Sequence, residues 1–512
     1  MKILDCTIRD GGYYTNWDFD QSLITEYCKS MEQLPIEYIE VGYRSIPLKG
    51  YLGKYFYCPL YVLEELKSLM PSKKLVIILN EKDIRPEHVD DLLLPIKPYV
   101  TLIRMAVDPS NFERAIELAK AVKALGFEVA FNVMYLSNWK KDPSFLDLLE
   151  GLDDTLDYFY MVDSFGGILP SDVKEIIQLV KSKTNVPLGF HGHDNLHMGL
   201  INTITALDEG CDIVDATITG MGRGAGNLKM ELLLTHLNAQ KIKKINFNSL
   251  SKVVHGFTCL QEKYGWGTNL PYMVSGANSL PQKDVMDWVS KGRYSFNSII
   301  RALQNLSDGI KDNEKLTLFN EKLKLSNVLL VGGGPSVSGH FDAIFNMLKK
   351  DESMIIIHAT TKHSNLFKNI SNKQLFCLVG NEGHRMEEVF GGVFKDNSIC
   401  VLPPYPRLIG TYIPNALKES AFQLEKYDFT NLNIDSHTSI ALQIIKNINS
   451  KKVFVVGYDG YKGELINQNE QELLSENSKL FNDFLKIEGI NVKSLFDTVY
   501  DLPKCSIYSM IL

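Results

Sequence analysis

Cysteine is sparse in this sequence, and its spacing suits neither disulfides nor zinc. The chain has eight cysteines, and no two of them form a C-x-x-C pair. Cysteines at short, regular spacing mark disulfide frameworks and thiolate zinc sites. The sequence therefore predicts free thiols and excludes a cysteine-stapled fold.

Long apolar runs and an excess of basic residues are also absent. No uninterrupted apolar run approaches the roughly 18 residues of a membrane span, and no basic, apolar and small-residue leader opens the sequence. The net charge is −7, without the basic tail or the basic and aromatic stripe typical of nucleic-acid binding. We expect a cytoplasmic protein that acts on small molecules.

The chain is long enough for two or three domains, since its 512 residues are 45% hydrophobic. In residues 1–245, eight short apolar runs alternate with segments of helical period such as Phe112 to Leu125. Buried parallel strands read as short apolar runs, and eight such units in roughly 250 residues predict a closed (β/α)₈ TIM barrel. The runs are Ile3 to Ile8, Tyr38 to Val41, Leu75 to Leu79, Val100 to Met105, Glu128 to Val133, Tyr158 to Val162, Pro187 to His191 and Ile213 to Ala216.

Two histidines two positions apart mark the end of the seventh run. Residues i and i+2 of a strand point the same way, so His191 and His193 can bind one ion. Asp10, the proposed third ligand, follows the first run. In a closed barrel only the eighth strand lies between the first and the seventh, so Asp10 can approach the two histidines. Asn227, in the glycine-rich segment after the eighth run, offers a carbonyl oxygen as a fourth ligand. Such a site suits Mg²⁺ or Mn²⁺ and also permits Co²⁺ or Zn²⁺.

Other polar residues stand at the ends of strands, where the catalytic groups of this fold lie. Arg9 precedes Asp10 and would face an anion bound to the metal. Arg104 and Asn132 end the fourth and fifth runs and are candidate substrate ligands. Asp163, at the end of the sixth run, either orients a ligand or caps a loop.

Three motifs in order carry a specific resemblance. They are D-x-T-x-R-D-G from Asp5 to Gly11, the H-x-H pair, and G-x-G-R-x-x-G-N from Gly220 to Asn227. With them, about half the chain resembles the metal-dependent barrel lyases and aldolases related to hydroxymethylglutaryl-CoA lyase, 2-isopropylmalate synthase and 4-hydroxy-2-oxovalerate aldolase.

The resemblance implies roles for particular residues. Asp10, His191, His193 and Asn227 would bind the divalent metal, and Arg9 would stabilise an enolate. Glu40 stands where the family often has an active-site carboxylate; the alternative is that it holds a structural arginine such as Arg44.

The chain departs from the family pattern at the proton-transfer residue. The hydroxy-oxovalerate aldolases have a histidine shortly after the arginine-aspartate pair, whereas this chain reads Gly12-Tyr13-Tyr14. A phenol with an ordinary pKa near 10 would need help from the metal or Arg9 to act as a base. Tyr13, Tyr14, Glu40 and a metal-bound water remain the candidates.

The proposed metal site suits enolate chemistry. Making or breaking a carbon–carbon bond beside a carbonyl requires stabilisation of an enolate, which a divalent cation chelated by a 2-oxo acid provides. The sequence therefore predicts a metal-dependent aldolase or lyase that acts on a 2-oxo acid and an aldehyde. An acyl-CoA-dependent Claisen synthase and a non-catalytic assembly protein are the alternatives.

Residues 246–325 read as a helical, aromatic extension followed by a charged linker. By analogy with the related aldolases, this extension would cover the barrel mouth or form a contact in a homo-oligomer. Plain packing against a barrel end explains it equally well.

Residues 326–512 begin a new pattern of strands and helices, which predicts a Rossmann-like open parallel sheet. Its strand candidates are Asn327 to Val331, Met354 to His358, Leu375 to Val379, Ile399 to Leu402 and Val453 to Val456. The first runs into a Gly-Gly-Gly-Pro-Ser turn that suits a phosphate. Val337 replaces the third glycine of G-x-G-x-x-G, which disfavours NAD, while Lys362 leaves NADP open.

This C-terminal part resembles the Rossmann-like group that includes archaeal 6-hydroxymethylpterin pyrophosphokinase and the motility accessory factors. The likeness rests on the glycine turn, on the helix that starts at Ser436, and on the segment Val453 to Gly460. It implies a nucleotide or nucleotide-sugar site, with Gly332, Gly334 and Ser336 near phosphate and Asp459 near a metal or hydroxyl. The chain would then be bifunctional, with a role in surface-glycan synthesis.

Overall fold

The computed structural model divides the chain into two compact units, Met1–Met286 and Asp287–Leu512. It describes residues 1–290, 294, 296–310, 314–320, 327–380, 382–394, 397–407, 409, 411–432, 436–461 and 468–511. Parts of the expected extension and linker therefore lie outside the described residues. The division into 1–245, 246–325 and 326–512 stays a prediction.

The first unit is a closed barrel of eight parallel strands, which confirms the predicted fold. Strand β1 pairs with both β2 and β8 and so closes the ring. The strands are β1 (Lys2–Asp5), β2 (Tyr38–Tyr43), β3 (Lys74–Asn80), β4 (Val100–Val107), β5 (Glu128–Val133), β6 (Tyr158–Asp163), β7 (Leu188–Gly192) and β8 (Ile213–Ala216).

Helices surround the barrel. In the first unit they are α1 (Thr7–Thr15), α2 (Gln21–Glu32), α3 (Lys54–Tyr57), α4 (Leu60–Leu69), α5 (Val89–Leu93), α6 (Phe112–Ala124), α7 (Leu136–Trp139), α8 (Pro143–Asp147), α9 (Pro170–Lys181), α10 (Gly199–Asp208), α11 (Met230–Ala239), α12 (Phe247–Tyr264) and α13 (Leu270–Ala277), and α14 (Gln282–Ser290) spans the unit boundary. Short 3₁₀ turns cover Pro86–His88, Leu94–Ile96, Pro109–Asn111 and Ile218–Gly220.

Helix α9 shows how the local sequence produces these elements. Pro170 stands in its first turn, where a missing N–H costs nothing, and Asp172 accepts a hydrogen bond from the backbone N–H of Leu169. Val173, Ile176, Ile177 and Val180 form its buried stripe. Each such side chain contributes roughly 1.5–3 kcal/mol when it is fully buried.

Strand β1 is shorter than the sequence predicts. The apolar run continues to Ile8, but the strand ends at Asp5 and α1 begins at Thr7. The Asp5 carboxylate accepts hydrogen bonds from the Thr7 backbone N–H at 2.9 Å and from its hydroxyl at 2.8 Å. This local turn starts the helix, so Arg9 and Asp10 occupy its buried first turns instead of a loop.

Residues 265–277 lie over the carboxyl end of the barrel. The indole N–H of Trp266 donates to the backbone oxygen of Thr219 at 3.1 Å, and Gly267 N–H donates to Gly224 at 3.2 Å. The side-chain amide of Asn195 donates to the backbone oxygen of Tyr272 at 2.9 Å. This part of the expected extension therefore holds the loops that follow β7 and β8.

The second unit contains the predicted parallel sheet, with seven strands in the order β13-β12-β11-β10-β9-β14-β15. The strands are β9 (Val328–Val331), β10 (Ile355–His358), β11 (Gln374–Cys377), β12 (Ser398–Leu402), β13 (Ala421–Gln423), β14 (Lys452–Val456) and β15 (Asn491–Ser494). The sequence predicted five of them and missed β13 and β15, which form the two edges of the sheet.

The described helices of the second unit are α15 (Phe296–Ser307), α16 (Ser336–Gly339), α17 (Phe341–Lys350), α18 (Glu382–Phe390), α19 (His437–Asn447) and α20 (Gln468–Phe484). Its 3₁₀ turns are Thr361–Phe367, Asn415–Ser420 and Ile507–Met510. Within the described part of the chain, no helix combines the length and apolar character needed to cross a membrane.

Candidate active site

The two histidines at the end of β7 are held by their Nδ1 atoms. Nδ1 of His191 lies 2.8 Å from Oδ2 of Asp215, and Nδ1 of His193 lies 2.8 Å from the backbone oxygen of Asp163. Both partners are acceptors, so Nδ1 carries the proton and Nε2 keeps its lone pair. Burial, together with the neighbouring His191, lowers the pKa of His193 to about 3, so its imidazole is neutral.

Asp10 and Asn227 meet beside these rings. The Asn227 amide donates to Oδ2 of Asp10 at 2.7 Å, and the Asn227 backbone bridges to His193. Although burial opposes ionisation, Arg9 and His191 hold the pKa of Asp10 below its usual range. Asp10 is therefore an anion next to the two imidazole rings.

The side-chain oxygen of Asn227 is the clearest sign of a missing partner. Oδ1 is buried and has no hydrogen-bond partner within the described residues. A buried polar atom without a partner is costly unless a ligand or ion satisfies it. Two imidazole nitrogens, one carboxylate and this amide oxygen form a donor set that fits a divalent cation.

A buried charge network lies beneath these donors. Arg9 contacts Asp10, and its Nε lies 3.3 Å from Oε1 of Glu40. The other carboxylate oxygen of Glu40 accepts from Arg104 at 2.7 Å, and Arg104 also donates to Asp215 at 2.6 Å. The network thus connects Arg9 to the residue that holds His191.

Arg104 is the centre of this network and is 0% exposed. Its Nε donates to the side-chain oxygen of Asn132 at 2.8 Å, and its guanidinium lies 4.1 Å above the Tyr160 ring. The contacts of Arg104 and Asn132 are therefore with each other and with site carboxylates, and substrate contact by either stays a prediction.

Arg44, the arginine that the sequence suggested as an alternative partner for Glu40, does not pair with it. Arg44 donates to backbone carbonyls, including those of Tyr57 and Cys58.

Asp163 and Tyr13 take other places in the site. The Asp163 carboxylate accepts from Gly167 N–H at 3.3 Å, which fits loop capping, and burial raises its pKa to about 7. The Tyr13 hydroxyl lies 2.9 Å from that of Tyr43, at the end of β2. Tyr14 donates to the backbone oxygen of Gly222 at 3.1 Å, so its phenol is engaged in holding the loop after β8.

Sequence reasoning missed Asp215, Tyr43 and Arg223. A signal for Asp215 was present, because a carboxylate stands inside the apolar run Ile213 to Ala216 with the same parity as the interior residue Ile213. Tyr43 and Arg223 also had positional signals, since Tyr43 ends β2 and Arg223 is the arginine of the glycine-rich motif after β8. Their contacts with Tyr13, however, arise only in the tertiary fold.

The tight grouping of possible metal donors among the described residues is a different one, which shares only His191 with this set. Atoms of Cys6, His191 and Asp215 lie within 4.8 Å of one another. However, Asp215 is already bonded to Arg104 and to Nδ1 of His191, and burial raises the pKa of the Cys6 thiol well above its usual value. We therefore interpret Asp215 as the partner that orients His191.

The predicted nucleotide residues of the second unit also lie together, at the carboxyl ends of β9 and β14. Gly334 N–H donates to Gly457 at 2.8 Å, and Ser336 N–H donates to the Asp459 carboxylate at 2.9 Å. A Cβ on Gly334 would lie 2.3 Å from that carboxylate, so only glycine fits there. Gly332 N–H donates to Val456 at 2.8 Å.

Comparison with known proteins gives the barrel a family. The HMGL-like family matches residues 102–255. Oxaloacetate decarboxylase of Mycobacterium tuberculosis is 28% identical over 236 residues, which are 46% of this chain and 69% of that protein. A 4-hydroxy-2-oxovalerate aldolase of Carboxydothermus hydrogenoformans is 29% identical over 241 residues, covering 46% of this chain and 70% of the aldolase.

A solved structure is much more similar in sequence. The crystal structure of the N-terminal domain of a candidate aldolase from Bacteroides vulgatus is 59% identical, with a TM-score of 0.57, and the match covers 59% of this chain and 100% of that domain. Together with the barrel and the arrangement of its strand-end residues, these matches confirm the predicted resemblance for the first unit. Through this unit, the chain belongs to the HMGL-like family of aldolases and lyases.

Proposed function

We propose that the barrel is a divalent-metal-dependent aldolase that makes or breaks a carbon–carbon bond next to the carbonyl of a pyruvate-like 2-oxo acid. The observation that carries the proposal is that four possible donor groups are neighbours: Asp10 contacts Asn227, the Asn227 backbone bridges to His193, and the His193 ring centre lies 5.0 Å from that of His191. The four donor groups are Nε2 of His191, Nε2 of His193, the Asp10 carboxylate and the unpartnered Oδ1 of Asn227.

These four residues would hold the ion through two ring nitrogens and two oxygens. We favour Mg²⁺ or Mn²⁺, and Co²⁺ or Zn²⁺ also fits such a mixed set. When bound, a divalent cation supplies Lewis acidity to the carbonyl of the 2-oxo acid. The remaining steps depend on side chains of the chain itself.

Arg9 stabilises the oxygen on which negative charge develops. Three of its five guanidinium N–H groups have partners, one at Asp10 and two at Glu40, which leaves two N–H groups for a ligand. Glu40 holds the guanidinium in place and is itself fixed by Arg104. A donor positioned in advance at a developing oxyanion typically contributes about 3 kcal/mol to lowering the barrier.

Tyr13 is the proposed proton carrier. It lies one helical turn after Asp10 on α1, and its hydroxyl is paired with that of Tyr43. Its side chain is 36% exposed, so its hydroxyl can exchange protons with solvent while remaining at the site.

The test uses protein from which the metal has been removed and to which one metal at a time is added. NMR in D₂O then monitors exchange of the methyl protons of pyruvate. We expect exchange with Mg²⁺ or Mn²⁺ and its loss in His191→Ala and His193→Ala. The control is His255→Ala, since His255 is an exposed histidine of α12. Absence of exchange for any 2-oxo acid with Mg²⁺, Mn²⁺, Co²⁺ or Zn²⁺ would refute the proposal.

We also propose that the second unit binds a nucleotide or nucleotide-sugar at the carboxyl ends of β9 and β14. The strand order reverses between these two strands, and ligands of open parallel sheets bind at such points. Lys362 lies nearby, with its Nζ 2.9 Å from the backbone oxygen of Gly333. The pairing of the two units would suit extension of a sugar aldehyde in surface-glycan synthesis.

Calorimetric titration of the full chain with nucleotides and nucleotide-sugars in Mg²⁺ tests this second proposal. We expect binding that is weakened in Lys362→Ala and unchanged in Lys252→Ala, an exposed lysine of the barrel unit. If no nucleotide binds, or if both variants bind as the wild type does, the proposed site is wrong.

A further inference from the structure

Arg223 lies on a loop whose backbone is fixed from three sides. Its own carbonyl accepts from Gly226 N–H at 3.0 Å. The carbonyl before it, of Gly222, accepts from the Tyr14 hydroxyl of α1, and the carbonyl after it, of Gly224, accepts from Gly267. The position of Arg223 is therefore set by the barrel, by α1 and by the segment that covers the barrel mouth.

The side chain of Arg223 forms no direct ion pair within the described residues. It is exposed, and its guanidinium lies 4.4 Å from the centre of the Tyr13 ring. Its side chain forms no ion pair or hydrogen bond with the described residues, whereas Arg9 and Arg104 are both paired with carboxylates. The guanidinium N–H groups of Arg223 are thus free to bind a ligand. Tyr13, Tyr43 and Asp10 nevertheless lie close enough to raise its pKa.

The guanidinium is close to the proposed reaction centre. Tyr13, on which it stacks, lies one helical turn after Asp10, so the two side chains share a face of α1. Asn227, only four positions further along the loop, contacts Asp10 at 2.7 Å. Arg223 is therefore an exposed cation beside Tyr13 and close enough to Asp10 to interact with it electrostatically.

Charge balance indicates what Arg223 binds. The charges joined by direct contacts at the centre are two guanidinium groups, Arg9 and Arg104, and three carboxylates, Asp10, Glu40 and Asp215. A divalent ion turns their single net negative charge into a single positive one, which the carboxylate of a 2-oxo acid balances. The positive charge of Arg223 is then not balanced, so a bound ligand would need a second anionic group to balance it.

We infer that Arg223 forms an anion subsite for the second substrate, so that the aldehyde that joins the 2-oxo acid carries a carboxylate or a phosphate at its far end. This inference rests on the proposed aldolase function. A guanidinium binds either anion through paired hydrogen bonds, and stacking on Tyr13 holds its plane in place. Arg223 is thereby a specificity residue for the acceptor.

The first experiment measures kcat and KM for condensation of pyruvate with three aldehydes. Propanal is neutral, succinic semialdehyde carries a carboxylate, and glyceraldehyde 3-phosphate carries a phosphate. We expect Arg223→Ala to raise KM at least tenfold for whichever anionic aldehyde the wild type uses, with little change for propanal. Arg223→Lys should restore part of the loss. An equal loss for neutral and anionic aldehydes would overturn the inference.

Pyruvate proton exchange without aldehyde separates this inference from the proposed function. Wild type and Arg223→Ala should exchange equally well. No exchange in either protein means that the aldolase proposal itself has failed. Exchange in the wild type with loss in Arg223→Ala means that Arg223 acts in enolisation, by binding the 2-oxo acid or by positioning Tyr13, and the inference is wrong.

A binding measurement needs no turnover. Inorganic phosphate and succinate are titrated calorimetrically into the full chain with Mg²⁺ and pyruvate. We expect one of them to bind the wild type and the control Lys252→Ala, and to bind Arg223→Ala at least tenfold more weakly. If neither anion binds the wild type, or if the variant binds as well as the wild type does, there is no anion subsite at Arg223.

Discussion

Nδ1 of His191 lies 2.8 Å from Oδ2 of Asp215, and both groups are buried. This pairing fixes which nitrogen of the imidazole carries the proton and therefore which one faces the proposed ion. The same carboxylate oxygen accepts from Arg104 at 2.6 Å, so the orientation of a metal ligand is connected to the charge network beneath it.

Asp215→Asn should weaken metal binding without removing a ligand. The amide keeps the shape but presents a poorer acceptor to His191, and loss of such a partner typically costs 10–100-fold in metal affinity. Calorimetric titration with Mn²⁺ checks this, with Asp208→Asn, at an exposed position of α10, as the control. Unchanged affinity in Asp215→Asn would show that this pairing does not serve the metal.

Arg104→Met should destabilise the barrel strongly. It leaves the buried carboxylates of Glu40 and Asp215 without their shared cation, and breaking such a pair costs about 3–5 kcal/mol. Calorimetric melting of the full chain should show a large decrease in the Tm of one transition.

The control for Arg104 is a salt bridge at the surface. Lys174 pairs with Glu209, but its side chain is 59% exposed. Lys174→Met should leave the melting profile unchanged, because water screens such pairs. Similar melting of the two variants would contradict the role given to Arg104.

The barrel could be predicted from the sequence because each buried strand is an apolar run that can be recognised without its neighbours. The H-x-H pair could be predicted for the same reason, since strand geometry alone places His191 and His193 on one side. The end of β1 could not be predicted, because the side chain of Asp5 starts a helix inside an apolar pattern that continues to Ile8.

The charge network could not be predicted from local pattern. Glu40 contacts Arg104, 64 positions away, and Arg104 contacts Asp215, 111 positions away. Such pairings depend on the register of neighbouring strands, which the sequence of each strand does not specify. The nearby Arg44 was an obvious partner for Glu40 by sequence distance and was the wrong one.

The contribution of Asp5 to the stability of the barrel should fall as the pH rises from about 4 to about 6. Burial raises the pKa of Asp5 from 3.8 to about 6. In that interval the folded protein keeps this proton and the unfolded chain releases it, so unfolding is favoured at the higher pH. A shift of this size is equivalent to roughly 3 kcal/mol at most.

Asp5→Asn isolates this effect. The variant has no proton to lose at this position. The difference between its Tm and that of the wild type should therefore increase as the pH is raised through the interval, and should stay constant at higher pH. Asp208→Asn should follow the wild type at every pH. A Tm difference between Asp5→Asn and wild type that does not depend on pH would contradict the assignment.

Gly226 and Gly151 offer a matched test of how the loop after β8 presents Asn227. Both have a φ of +82°, so alanine brings the same backbone strain, about 1–2 kcal/mol, at either position. A Cβ at Gly226 would lie 2.3 Å from the backbone oxygen of Gly220, whereas one at Gly151 would have no atom within 4 Å.

Gly226→Ala must therefore displace the loop next to Asn227, and we expect it to reduce Mn²⁺ affinity at least tenfold. Gly151→Ala should lower the Tm slightly and bind Mn²⁺ as the wild type does. Equal Mn²⁺ affinities in the two variants would mean that Asn227 is not held in place by this turn.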